Sequence, residues 1–106
     1  MDPMKVGKDI SLDELGEIVT HIAIEHGIIR VYLFGSRARE DNNKDSDFDF
    51  CIVVPEEYDL MDIGSFFYDI KEALGTEIDM VCEDDIMKKP SFMEEILRDR
   101  KILFEA

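Results

Sequence analysis

Leu33-Phe-Gly-Ser-Arg-Ala-Arg39, a polar loop, and then Asp47-Phe-Asp-Phe-Cys-Ile-Val-Val54 form the stretch that decides how this chain folds. The apolar, β-branched and aromatic segment Ile28 to Phe34 reads as a strand that runs into a turn at Gly35-Ser36. Ser36 to Glu40 suits one or two turns of helix, and Asp41 to Ser46 has the chemistry of a turn-rich loop. From Asp47 onward polar and apolar residues alternate, so a second strand begins there and stops near Pro55. Residues two apart on a strand share a side, which sets Asp47 and Asp49 together and sends Phe48, Phe50 and Ile52 into the core.

Outward from this stretch, Ser11-Leu-Asp-Glu14 has capping-box spacing, and Leu12, Leu15, Ile18, Val19, Ile22 and Ala23 then recur at helical intervals up to Gly27. His21 and His26, near the C-terminal end of that helix, are expected at the surface. Asp59 to Leu74 predicts a helix with Leu60, Ile63, Phe67, Ile70 and Leu74 on its buried face, ended by Gly75. Thr76 to Cys82 predicts a third strand. Pro90 and Ser91 start a last helix carrying Phe92, Ile96, Ile102 and Leu103 as core contacts. The order α-β-α-β-α-β-α implies a small α/β (α+β) fold, a mixed sheet of three or more strands packed with about four helices, in one domain spanning 1–106.

Asp79, between Ile78 and Met80, points away from the core as Asp47 and Asp49 do. If the second and third strands are neighbours, the three carboxylates converge. Adjacent carboxylates repel unless a cation sits between them, and their hard oxygens suit Mg²⁺ or Mn²⁺. Three such groups can hold two ions, the arrangement that clamps attacking and leaving oxygens in phosphoryl transfer. Gly35 lets backbone approach a phosphate, and Ser36 and Arg39, three residues apart, share a helix face from which hydroxyl and guanidinium could meet a triphosphate. Arg37 is expected to point elsewhere, to solvent or acidic neighbours.

The compound motif of Gly35-Ser36, ten intervening residues, Asp47-x-Asp49 and a later strand aspartate, Asp79, resembles the nucleotidyltransferases of the DNA polymerase β superfamily over about residues 28–82. The short chain is similar to their minimal (MNT) branch. The resemblance implies that Asp47 and Asp49 bind two metal ions, that Asp79 binds the catalytic one and helps activate the acceptor, and that Gly35, Ser36 and Arg39 hold the phosphates of ATP. It further implies an antitoxin that adenylylates a small helical HEPT partner. Glu40 stands where members of the branch often have glycine.

Other readings compete with this one. Asp45, Asp47, Asp49 and Glu56 fall at ligand positions of an EF-hand calcium loop, but Phe50 occupies the position that needs glycine. A non-catalytic module that neutralises its partner by covering a surface is the alternative binding function, and transfer to a small molecule is a third. Ser36 has no recognisable triad to make it a nucleophile.

Twelve basic residues against 26 acidic ones leave a formal charge of -14, which disfavours a nucleic-acid polymer as partner and favours cations or a basic protein. Cys51 and Cys82 lie in apolar segments as packing residues without metal-ligand spacing. The longest unbroken apolar run, Phe50 to Val54, is too short for a membrane span, and the expected location is the cytoplasm. Met80, Met87, Phe66, Phe67 and Phe92 are candidates for a partner surface or, more in keeping with their spacing, for the core. A homo-oligomer is compatible with the sequence.

Overall fold

The structure is a computed structural model that describes residues 10–39 and 47–106. Helix α1 (Leu12–His26) starts at Ser11, whose hydroxyl accepts from the Glu14 amide and donates to the Glu14 carboxylate. The carboxylate therefore meets the Ser11 hydroxyl, a variation on the expected box. Gly27 ends the helix in the left-handed region at φ 68°, its amide reaching back to the carbonyls of Ala23 and Ile24. Helix α3 (Leu60–Leu74) carries a complete reciprocal cap between Asp59 and Asp62, and Gly75 closes it in the same way as Gly27.

Between and beyond these helices run β1 (Arg30–Phe34), the single-turn α2 (Ser36–Arg39), β2 (Phe48–Val53), β3 (Ile78–Cys82), α4 (Glu83–Ile86), α5 (Pro90–Asp99) and β4 (Lys101–Glu105). The strand order is β3-β2-β1-β4, with β1 antiparallel to both β2 and β4. Strands β2 and β3 are parallel, joined by the crossover through α3. Among the described residues this mixed four-stranded sheet with five helices is the small α/β architecture expected above.

The period of two divides the sheet into two unlike faces. Val31 and Leu33 of β1, Phe48, Phe50 and Ile52 of β2 and Ile78 of β3 form the main core with Leu15, Val19, Ile22 and Ala23 of α1 and Phe66, Ile70 and Leu74 of α3. The opposite face carries a smaller core in which Cys51, Ile86 of α4 and Ile96 of α5 pack with Tyr32, Phe34 and Val81. Both cysteines are free, and burial pushes the Cys51 thiol up to about 11, so it behaves as an apolar packing group.

The structure corrects four expectations. Ile102 and Leu103 belong to β4 and not to the last helix. Arg100 is already extended at φ -68° and ψ 144°, and the free edge of β1 pairs the apolar run that follows. Leu60 is 85% exposed, because it opens α3 before the helix reaches the sheet, and Phe66 takes the central buried place beside a half-buried Phe67. A fifth helix, α4, forms at Glu83–Ile86 and covers the second face. His26 is not a surface residue: its Nε2 lies 2.6 Å from Asp69 Oδ2, its ring meets Phe66 edge-on, and its carbonyl accepts from the Tyr58 hydroxyl. His21, by contrast, is exposed as expected. His26→Ala is expected to reduce the unfolding free energy by about 1–2 kcal/mol in a denaturant titration, because it removes the α1–α3 tie and its aromatic contact together.

Among the described residues no helix is long and apolar enough to cross a membrane.

Candidate active site

The second face of the sheet carries the polar chemistry. Phe34 of β1 is the register partner of Asp49 on β2, and Asp49 is in turn the partner of Asp79 on β3. Parallel pairing puts the two carboxylates side by side, since both residues alternate away from the main core. They line a cleft of about 550 Å³ with Phe34, Gly35, Ser36 and Arg39, roofed by Phe92, Glu95, Ile96 and Asp99 of α5. A larger hollow, about 760 Å³, lies between α1 and β4 around Thr20, Ile24 and Ile102. Its acidic residues, Asp13 and Glu17, are exposed on a single helix, whereas the smaller cleft holds the register-paired Asp49 and Asp79.

Asp49 is half-buried, and its carboxyl is pushed up to about 6, first by desolvation and then by the charge of Asp79, a hydrogen bond to it, and the charge of Asp47. Arg39 acts in the opposite direction. Asp47 immediately precedes β2 and is exposed; it does not line the cleft, although its charge reaches Asp49. Among the described residues, no three acidic, histidine or cysteine side chains stand close enough to close around one ion. The structure thus brings Asp49 and Asp79 together and leaves Asp47 near them at the surface. This pair of hard oxygen donors fits a divalent cation, because the Asp79 charge that adds to desolvation in raising the Asp49 carboxyl is a repulsion a cation would remove.

Gly35 is needed here for two reasons. Its φ of 77° is costly for any residue with a Cβ, and a Cβ at this position would overlap the Asp49 carboxylate. The backbone then turns directly into α2, with the amides of Ala38 and Arg39 both donating to the Gly35 carbonyl. Ser36 and Arg39 line the cleft as the helical spacing predicts. Arg37 points away from the cleft as expected but does not reach solvent: it is 5% exposed and lies over the Phe48 ring at 4.0 Å, where the ring face receives the cation. Glu40 and Asp41 to Ser46, the loop of the expected turn, lie outside the described residues.

Glu95 and Asp99 carry no signal in the sequence. They read there as solvated charges of an amphipathic helix, yet Asp99 lies 3.2 Å from Arg39 across 60 residues of chain. Only the packing of α5 on the second face creates that contact.

The polymerase beta nucleotidyltransferase family matches residues 17–106. The chain belongs to this family. It is therefore an enzyme of the nucleotidyltransferase class, and its fold is that of the MNT antitoxins. A curated relative from Methanocaldococcus jannaschii, provisionally named a protein adenylyltransferase, is 31% identical over 97 residues, covering 92% of this chain and 96% of its own. A solved structure provisionally described as a minimal nucleotidyltransferase shares 31% identity at a TM-score of 0.74, covering 90% of this chain and 98% of that one. The MNT antitoxin in complex with the tri-AMPylated HEPN toxin of Shewanella oneidensis matches in fold at a TM-score of 0.65 and 14% identity. That match covers 91% of this family member and 74% of the antitoxin.

Proposed function

We propose that this nucleotidyltransferase moves AMP from ATP onto a hydroxyl of a small helical HEPT-type partner protein and so acts as its antitoxin. The observation that carries the reading is the register pairing of Asp49 with Asp79 beside Gly35 in one cleft. The name of the archaeal relative and the modified toxin in the Shewanella complex support the choice of acceptor.

In this reading the Gly35 backbone, the Ser36 hydroxyl and the Arg39 guanidinium hold the triphosphate, with Phe34 and Phe92 bounding the cleft. Asp49 and Asp79, with Asp47 nearby at the surface, would hold the divalent ions, two Mg²⁺ or Mn²⁺, which would supply charge neutralisation of the triphosphate and a lower pKa for the acceptor hydroxyl. Asp79 stands on the outer strand of the pair, at the sheet edge open to an incoming acceptor, and takes up the hydroxyl proton. The hydroxyl oxygen bonds to the α-phosphorus, the bond to the bridging oxygen breaks, and pyrophosphate leaves with that electron pair. The -14 charge suits a basic protein acceptor better than a nucleic-acid strand.

The test is incubation with α-labelled ATP, MgCl₂ and the product of the neighbouring gene. Label is expected on that protein with the wild-type enzyme and not with Asp47→Asn or Asp49→Asn. Neutralisation of the partner's toxicity without any label would instead establish occlusion. Label that persists in both variants would remove these aspartates from the chemistry.

A further inference from the structure

We propose that Asp99, at the C-terminal end of α5, is a positioning residue for nucleotide binding, holding Arg39 with its guanidinium in the cleft. The inference rests on the reading of Arg39 as a phosphate ligand. Arg39 Nη1 lies 3.2 Å from Asp99 Oδ2, and both side chains line the cleft that contains Asp49 and Asp79. Asp99 is the fixed member of the pair, since its side chain is only 13% exposed while that of Arg39 is 39% exposed. Arg98 Nε approaches the other Asp99 oxygen at 3.5 Å, which leaves Oδ2 directed at Arg39.

A long arginine side chain on a single-turn helix has several rotatable bonds, and ordering it on binding costs affinity. A half-buried carboxylate that fixes one edge of the guanidinium removes part of that cost beforehand. Guanidinium has five N–H donors in a rigid fork, so the bond to Asp99 does not by itself exhaust its capacity to bind phosphate oxygens. The same contact ties α5, and with it Phe92 and Glu95 over the cleft, to the turn after β1. The opposite role is also physically available, because a carboxylate on Arg39 competes with phosphate for the same cation. The two roles differ in the sign of the effect of removing Asp99.

Binding of the non-hydrolysable analogue AMP-PNP with MgCl₂, followed by calorimetry on the full chain, decides between them. Arg39→Ala is expected to weaken binding by about tenfold or more. Asp99→Ala should weaken it by about tenfold, and Asp99→Asn, which keeps one acceptor oxygen, should weaken it less. The double variant Arg39→Ala/Asp99→Ala should bind no more weakly than Arg39→Ala alone, because Asp99 acts only through that guanidinium. Wild-type or tighter binding by Asp99→Ala, with Arg39→Ala impaired, would overturn the inference and leave the phosphate reading in place. So would a further tenfold loss on adding Asp99→Ala to Arg39→Ala, which would mark a purely structural role. Unimpaired binding by Arg39→Ala would overturn the phosphate reading itself.

Discussion

Asp49→Asn is expected to abolish transfer while making the metal-free protein more stable. Loss of one ligand from a site that neutralises several kcal/mol of developing charge reduces the rate on the order of 10³-fold. Stability moves the other way. Asp49 and Asp79 are register partners, and the folded state holds the Asp49 proton up to about pH 6, well above its value in an unfolded chain. At neutral pH the ionised carboxylate therefore opposes folding, and replacing it with an amide of the same shape removes that cost. Discounted for partial exposure, the gain is about 1 kcal/mol, or a few degrees in melting midpoint for a chain of this size. Calorimetric melts in EDTA measure it. Added MgCl₂ should raise the midpoint of the wild type by binding the folded state alone, and should leave Asp49→Asn nearly unmoved. A variant that melts below the wild type in EDTA would show that the carboxylate supports the fold, and would remove the argument that a cation belongs beside it.

Gly35→Ala should be the most damaging small substitution in the chain. The φ of 77° imposes about 1–2 kcal/mol of backbone strain on alanine, and its Cβ would displace the Asp49 carboxylate it overlaps. Misplacement of a metal-holding group by as little as about 1 Å costs on the order of 10²-fold in rate. Gly27→Ala provides the control. Gly27 has φ 68°, nearly the same backbone geometry, but its added Cβ would meet only the Tyr58 hydroxyl, at the far end of α1 and away from the cleft. Thermal melts should report a similar loss for the two variants, and transfer assays should report a loss only for Gly35→Ala. Equal activity in both would place the turn outside the chemistry.

The parts of the site that were legible beforehand share a local cause. Asp49 and Asp79 stood out because alternation along a single strand is enough to say which residues leave the core, with Ile78 and Met80 marking the side of Asp79, whereas Asp47, chosen on the same alternation, stays outside the cleft. Gly35 stood out because a strand that ends in Gly-Ser needs a turn. The burial of Arg37 was not legible, for the complementary reason. Nothing in its neighbours along the chain reveals that α2 lies over Phe48, where a guanidinium can be buried on a ring face. The apolar run Ile102 to Phe104 was equally ambiguous, since so short a segment satisfies either a helix end or a strand.

The sequence by itself determined the caps of α1 and α3, the strand periodicity that separates an acidic face from an apolar one, and the residue types able to hold metal and phosphate. These follow from steric and hydrogen-bonding rules that act over one to four residues. Only the tertiary structure decided that β3 lies parallel to β2 with Asp79 beside Asp49, that β4 closes the other side of β1, and that α5 brings Asp99 to Arg39. Those contacts join residues tens of positions apart, and their geometry is set by which apolar faces the sheet and helices bury together.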